Sequence, residues 1–242
     1  MIPIQDTIPR RTTPFVTWAL IAINTVVFLL EASLDPATLE RVIFYLGVVP
    51  ARYTDPHWPE AAVSYWPFLT NMFLHGGWMH LIGNMWTLWI FGDNVEDRLG
   101  HGRYLLFYIL SGICASLTHV LFNMGSQIPA IGASGAIAGV MGAYFVLFPH
   151  SRVVTLVPVF FLPFFFEIPA VFYLGIWFMT QLFSGTFAII APALGGGIAW
   201  WAHIGGFVAG IVLLKFLQRY PRRYYRRHYP DEWVWVRDLY RY

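Results

Sequence analysis

The chain has 242 residues, of which 57% are hydrophobic and only 12% are charged. An average soluble domain carries about 25% charged residues, and the mean hydropathy of this chain is +0.57. This composition excludes an ordinary soluble domain and indicates a membrane protein. The single cysteine, Cys114, excludes an intrachain disulfide framework.

Apolar runs recur along the chain at lengths close to what a helix needs to cross roughly 30 Å of hydrocarbon. They predict six transmembrane helices, at residues 15–33, 76–92, 104–123, 134–148, 168–185 and 200–218. The segment 153–166 is also apolar, but Pro158 and Pro163 interrupt it, and proline disrupts helical hydrogen bonding. We therefore expect this segment to lie in the membrane interface or to re-enter the membrane. The predicted fold class is an all-α membrane bundle of six helices.

The distribution of basic residues predicts the orientation of this bundle. With six spans, 13 of the 15 Lys and Arg residues fall on one side of the membrane, and only Arg41 and Arg52 fall on the other. Because cytoplasmic loops carry the excess of positive charge, both termini are predicted to be cytoplasmic. The predicted organisation is a cytoplasmic N-terminal tail, a six-span membrane domain and a basic, aromatic C-terminal tail, at residues 1–13, 14–217 and 218–242.

The C-terminal tail, residues 218–242, mixes arginines with aromatic side chains. We interpret it as an anchor to anionic membrane lipid. A nucleic-acid site would need a folded basic surface, which the sequence does not indicate, so no nucleic-acid partner is predicted.

Four polar side chains from three predicted spans lie at a similar depth. His80 and Asn84 lie in the outer half of the second span. Ser134 begins the fourth span, and His203 lies about one turn into the sixth. Because these spans all run from the outside to the inside, the four side chains share the outer part of the bundle. Polar groups inside spans are costly and mark functional sites.

Ser134 lies in the sequence Gly132-Ala133-Ser134-Gly135. The glycines permit close packing of the backbone and leave amides free at a helix start. A serine at this place can also be a simple helix cap, so the motif alone does not identify a nucleophile.

Glycine pairs on the fourth and sixth spans favour contact between Ser134 and His203. Gly135 and Gly139 form one pair of small residues four positions apart, and Gly206 and Gly210 form the other. Such faces let two helices approach closely in lipid. We therefore expect the serine hydroxyl to lie within hydrogen-bond reach of the imidazole, the base that a serine nucleophile needs at neutral pH.

His80 and Asn84 are four residues apart and so lie on one helix face. Their side chains can donate hydrogen bonds to one point, as an oxyanion site requires. A metal site built from His75, His80 and His203 is the competing interpretation. We discount it because no carboxylate or cysteine within the spans pairs with these histidines, so neither a metal nor a cofactor is predicted. His119, near the outer end of the third span, is interpreted as structural.

Together these residues resemble the rhomboid family of intramembrane serine proteases. The resemblance rests on His75-x4-His80-x3-Asn84, Gly132-Ala133-Ser134-Gly135 and Ala202-His203-Ile204-Gly205-Gly206, and it covers roughly residues 14–217.

The resemblance to the rhomboid family carries expectations about the active site. It implies a Ser134–His203 dyad without an acidic third member, and an oxyanion site made by the Ser134 backbone amide, His80 and Asn84. It also implies that the substrates are transmembrane helices of other proteins, that residues 184–200 form a cap over the site and that the fifth span is a lateral gate.

One departure from the family concerns the His203 ring. Some members carry a tyrosine one turn after the serine, stacked on the histidine, where this chain has Ala138. Trp200 and Trp201 are the candidates to replace it.

The alternative function is a non-catalytic rhomboid-like protein that binds and escorts transmembrane helices. A transporter or channel is less favoured, because the spans lack the paired charges near the midplane that such proteins use. The expected location is a prokaryotic cytoplasmic membrane, with the active site towards the extracytoplasmic side. The sequence predicts no oligomeric state.

Overall fold

The computed structural model describes residues 1–59, 63–160, 162–190 and 199–218. Within these residues the chain forms nine α-helices: α1 (Phe15–Ala32), α2 (Pro36–Leu46), α3 (Ala51–Thr54), α4 (Pro67–Thr70), α5 (Trp78–Leu99), α6 (His101–Phe122), α7 (Ser134–Leu147), α8 (Ala170–Ile190) and α9 (Trp200–Leu217). A short 3-10 turn, Asn71–Phe73, follows α4. Three strands, β1 (Ile2–Asp6), β2 (Arg152–Val159) and β3 (Leu162–Pro169), form one antiparallel sheet in the order β1-β2-β3.

Helices α1 and α5 to α9 occupy the six positions at which spans were predicted. Of these, α1, α6, α8 and α9 are long and apolar enough to cross a membrane, judged by length and composition. Helix α7 has only 14 residues, which gives a length of about 21 Å. Helix α5 continues beyond the predicted span into the charged segment that ends at Leu99.

Helix α7 lies at the centre of the bundle, and 11 of its 14 residues are buried. It meets α9 through backbone contact at two glycine pairs. A Cβ atom added to Gly206 would lie 2.0 Å from the carbonyl oxygen of Gly135, and one added to Gly210 would lie 2.0 Å from that of Gly139. Only glycine permits this approach, which brings the N-terminal ends of the two helices together.

The start of α1 is held by a carboxylate from α5. The two oxygens of Glu96 accept hydrogen bonds from the backbone amides of Val16, at 2.9 Å, and Thr17, at 2.8 Å. These amides belong to the first turn of α1, where a helix has no acceptors of its own and favours negative charge. Glu96 therefore fixes the first helix against the C-terminal end of α5.

The segment 153–166 is not helical, and it contributes most of strands β2 and β3. The two strands pair in antiparallel register, with Val153 opposite Ile168. Pro158 and Pro163 face one another next to the hairpin turn, where prolines are tolerated more easily than in the middle of a sheet. The fold is therefore mainly helical rather than all-α.

Strand β1 is tied to the helices through Asp6. Its carboxylate accepts hydrogen bonds from the Tyr144 hydroxyl, at 2.5 Å, and from Nδ2 of Asn94, at 2.7 Å. These contacts join the sheet to the ends of α7 and α5 that lie away from Ser134.

Parts of two predicted regions lie outside the described residues. They are residues 191–198 of the predicted cap and residues 219–242 of the predicted tail.

Candidate active site

Ser134 and His203 lie in hydrogen-bond contact. Ser134 is the first residue of α7, and His203 lies in the first turn of α9. The serine Oγ and the histidine Nε2 are 2.9 Å apart, within the range that proton transfer requires. The close packing of α7 on α9 produces this contact, because it brings the two helix starts together.

The turn before Ser134 depends on Gly132. This residue has a φ of 124°, a backbone conformation that residues other than glycine rarely adopt. A Cβ atom added there would lie 2.7 Å from Cε1 and Nε2 of His80 and 3.6 Å from Oγ of Ser134. The His80 imidazole and the serine hydroxyl therefore both lie against Gly132, and a glycine is needed there for space as well as for backbone conformation.

The hydrogen bonding of His80 sets its tautomer. The backbone amide of Gly76 donates to His80 Nδ1 at 3.3 Å. A nitrogen that accepts a hydrogen bond carries no proton, so the proton of the neutral ring is on Nε2. That N–H belongs to the ring edge that lies against Gly132, next to Ser134.

Asn84 lies one helical turn after His80 and is held by another histidine. Its Nδ2 lies 3.1 Å from Nε2 of His75, and both side chains are buried. The backbone amide of His75 in turn donates to Oε2 of Glu31 in α1, at 3.2 Å. The described partner of Asn84 is thus His75, which fixes the amide in the wall of the site.

The three histidines considered as a metal site make separate hydrogen bonds, although the rings of His75 and His80 lie 5.1 Å apart. His75 contacts Asn84, His80 contacts Gly76 and His203 contacts Ser134. In the part of the chain that the structure describes, no three His, Cys, Asp or Glu side chains are grouped closely enough to hold a metal ion.

The far side of the His203 ring meets residues that sequence reasoning did not identify. Nδ1 of His203 lies 2.8 Å from Oε1 of Gln181 in α8. The ring of Trp177, one turn earlier in α8, lies 5.9 Å away at a 36° tilt. A glutamine inside an apolar span is the signal that could have drawn attention to this position.

The two tryptophans proposed as replacements for the stacking tyrosine have different positions. Trp200 meets the His203 ring edge-on, with centroids 6.3 Å apart and planes at 90°. Trp201 stacks instead on Phe122, at 3.8 Å and 4°. Trp200 therefore borders the His203 ring, whereas the described ring contact of Trp201 is to α6.

A small cavity of about 20 Å³ lies beside Ser134. Its polar lining includes Asn71, Ser116 and His119, together with Ser134 itself. A space of this size can hold one water molecule when polar partners are present. His119 was interpreted as structural from the sequence, and the structure places it in the lining of this cavity.

Comparison with known proteins identifies the family. The model of the Rhomboid domain matches residues 62–220. The rhomboid protease GluP of Bacillus subtilis is 34% identical over 131 residues, which cover 54% of this chain and 24% of that protein. The mitochondrial Rhomboid protein 1 of Saccharomyces cerevisiae is 29% identical over 154 residues, covering 62% of this chain and 41% of the relative.

A human relative, the mitochondrial presenilin-associated rhomboid-like protein, is 29% identical over 184 residues, which cover 70% of this chain and 44% of the relative. The chain thus spans less than half the length of each of these relatives. The family match extends over most of the helical bundle and includes Ser134 and His203. The resemblance seen in the sequence is confirmed: this chain is an integral membrane protein of the rhomboid family.

Proposed function

We propose that this protein is an intramembrane serine endopeptidase that cleaves transmembrane segments of other membrane proteins. Ser134 is the nucleophile, and His203 is the general base and acid. The observation that carries the proposal is the 2.9 Å contact between Ser134 Oγ and His203 Nε2. A serine hydroxyl is a poor nucleophile at neutral pH and becomes effective when a base lies at this distance.

The reaction begins when Nε2 of His203 removes the Ser134 proton as Oγ attacks the scissile carbonyl. The tetrahedral intermediate collapses, and the protonated His203 gives its proton to the leaving amine. The resulting acyl-enzyme is hydrolysed by water, with His203 again acting as base. The polar cavity beside Ser134 supports this step, because it adjoins the serine and is large enough for one water molecule.

Three donors can stabilise the oxyanion. The first is the Ser134 amide at the start of α7, where a helix has free N–H groups and a positive dipole end. The second is His80 Nε2–H, whose protonation follows from the Gly76 contact. The third is the second hydrogen on Nδ2 of Asn84, since His75 engages only one of the two.

The proposed topology has six spans, with both termini in the cytoplasm and Ser134 towards the opposite side. The distribution of Lys and Arg supports this orientation. A reporter fused to the C-terminus and assayed for cytoplasmic exposure tests it, and an extracytoplasmic reporter would overturn it. The relatives include mitochondrial proteins, so the proposal names no particular membrane.

The function is tested with purified protein and a single-span substrate that carries small residues near the outer end of its span. Ser134→Ala and His203→Ala are each expected to reduce cleavage by at least about 10⁴-fold, because nucleophile and base act as a unit. Ser33→Ala is the matched control, since its hydroxyl bonds the backbone of its own helix at Leu30, and it should cleave like the wild type.

Two outcomes would contradict the proposal. Cleavage that survives Ser134→Ala would remove the catalytic assignment. Failure to cleave any transmembrane substrate, together with failure of a serine-reactive phosphonate to label Ser134, would favour the escort function instead.

A further inference from the structure

Gln181 occupies an unusual place in α8. Only four of the 21 residues in this helix are buried: Ala170, Leu174, Gln181 and Gly185. Of these four, Gln181 alone carries polar groups in its side chain, and its Oε1 faces Nδ1 of His203. An amide turned into a bundle within an apolar helix costs free energy unless its groups are hydrogen-bonded. Its partners therefore indicate why it is there.

The partners of the Gln181 amide determine which of its ends faces His203. The Thr180 hydroxyl donates to the carbonyl of Trp177 at 2.6 Å, so its oxygen is left to accept. Nε2 of Gln181 donates to that hydroxyl oxygen at 3.1 Å and to the Trp177 carbonyl at 3.3 Å. With its nitrogen used by two acceptors, the amide presents Oε1 to His203.

An acceptor on that side decides the tautomer of His203. Oε1 of Gln181, 2.8 Å from Nδ1, is an acceptor only, so the bond forms when Nδ1 carries the proton of the neutral ring. Nε2 then has a free lone pair directed at the Ser134 hydroxyl. The opposite tautomer would place an N–H against Ser134 and would leave Nδ1 facing an oxygen without a proton between them.

We infer that Gln181 is a positioning residue, which holds His203 in the tautomer and orientation that accept the Ser134 proton. The hydrogen bonds form a continuous chain from the backbone of α8 through Gln181 and His203 to Ser134. The neighbouring rings of Trp177 and Trp200 limit rotation of the imidazole, but ring contacts do not distinguish Nδ1–H from Nε2–H. The inference rests on the proposed function.

The close approach of α8 to α9 supports this assignment. A Cβ atom added to Gly185 would lie 3.3 Å from Cβ of Trp200 and 3.4 Å from Cδ1 of Ile204. Gly185 lies one helical turn after Gln181, so the contact keeps this part of α8 against the turn of α9 that carries His203. The distance from Gln181 to His203 therefore depends on how α8 is seated.

The kinetic test compares Gln181→Met with Gln181→Glu. Methionine keeps the size of the side chain but cannot orient Nδ1–H, so kcat should fall by about 10- to 100-fold while KM changes by less than about threefold. Glutamate keeps an oxygen acceptor and should be about tenfold more active than methionine. Thr25→Val is the matched control, because it removes a span hydroxyl that bonds Ile21 in its own helix, and it should retain wild-type kcat.

A spectroscopic readout separates a positioning role from a structural one. Nitrogen-15 NMR of labelled histidine in the Ser134→Ala background should show His203 with its proton on Nδ1. Gln181→Met should shift the population towards Nε2–H, while thermal unfolding in detergent confirms that the variant is folded.

The two proposals fail in different ways. If Ser134→Ala abolishes cleavage but Gln181→Met keeps wild-type kcat and an unchanged His203 tautomer, the inference about Gln181 is wrong and the protease proposal stands. If Ser134→Ala leaves cleavage intact, the protease proposal is wrong, and with it the role assigned to Gln181.

Discussion

The two sides of the His203 ring are built in different ways. On one side, α7 and α9 meet backbone to backbone, and 11 of the 14 residues of α7 are buried. On the other side, α8 buries only four of its 21 residues. A Cβ atom added to its Gly185 would lie 3.3 to 3.4 Å from side-chain atoms of α9, and not against backbone as at the glycines of α9. The contact between α7 and α9 fixes where Ser134 and His203 lie. The contact of α8 with His203, through Gln181, fixes which ring nitrogen of the imidazole carries the proton. Placement and orientation can therefore be disrupted separately.

The largest expected effect comes from breaking the α7–α9 contact. Gly206→Leu would place a side chain where a Cβ atom already lies 2.0 Å from the carbonyl oxygen of Gly135. Backbone cannot yield easily, so we expect loss of folded protein in size-exclusion chromatography and no detectable cleavage. Gly83→Leu is the matched control, because a Cβ atom there meets nothing within 4 Å. A stable and active Gly206→Leu variant would show that the close contact is dispensable.

A smaller effect is expected at Gly132, against which the His80 ring lies next to Ser134. Gly132→Ala would force a methyl group to within 2.7 Å of the His80 ring at a φ of 124°. The ring must move, so one oxyanion donor is lost and kcat should fall by about 10²- to 10³-fold. His80→Ala provides the comparison and should lose a similar factor. If Gly132→Ala has wild-type kcat, His80 does not act on the oxyanion.

Substitutions in the contact between α8 and α9 should reduce kcat less than those in the contact between α7 and α9. Gly185→Val adds methyl groups between α8 and α9, which displaces Gln181 from His203 without touching the α7–α9 contact. We expect kcat to fall by about tenfold with thermal stability nearly unchanged. Gly175→Val, on the same helix but with its nearest contact at 3.9 Å, should be neutral. Equal losses of stability in Gly185→Val and Gly206→Leu would remove the distinction between the two sides.

The smallest effect concerns stability alone, at Asp6, which contacts Tyr144 near the C-terminal end of α7. Burial raises the pKa of Asp6 to about 6, although the hydrogen bond from Tyr144 opposes this shift. Between pH 7 and pH 5 the folded protein therefore takes up a proton that the unfolded chain does not, and stability rises as pH falls. The melting temperature of the wild type should therefore rise between pH 7 and pH 5, and Asp6→Asn should reduce this rise by about 3 °C.

The control for the Asp6 prediction is cleavage at constant pH, which Asp6→Asn should leave unchanged because the residue lies far from Ser134 along α7. Unfolding followed by tryptophan fluorescence at several pH values measures the melting temperatures. An identical pH dependence in the wild type and in Asp6→Asn would contradict the raised pKa.

Much of the arrangement around Ser134 could be predicted from the sequence because it follows from depth and helix faces. Span direction predicts that Ser134 and His203 lie at one level, and the glycine spacing predicts which faces meet. These are regular consequences of helical geometry. The contact between Gln181 and His203 could not be derived in this way, because it depends on the rotation of α8 against α9 and on the amide rotamer.

The strand pairing of the segment 153–166 was not predicted, for a related reason. A short apolar run has the same composition whether it is a buried strand or an interfacial segment, and Pro158 and Pro163 argued only against a helix. The runs of valine in β2 and phenylalanine in β3 favour strands, but the partner strand β1 lies about 150 residues earlier in the chain. Pairing over such a separation leaves no local signal.

Because Gln181 is an amide, the group behind His203 carries no charge. Moving an ion from water into a medium of low polarity costs several kcal/mol, so an ionised carboxylate in a wall formed by an apolar helix would carry that cost, whereas the amide does not. With the imidazole in its neutral base form, the set Ser134–His203–Gln181 is electrically neutral at rest. In the proposed mechanism, charge appears only during turnover, as an adjacent imidazolium and oxyanion that offset one another. In that mechanism the site folds within lipid at little electrostatic cost and becomes charged only when substrate is bound.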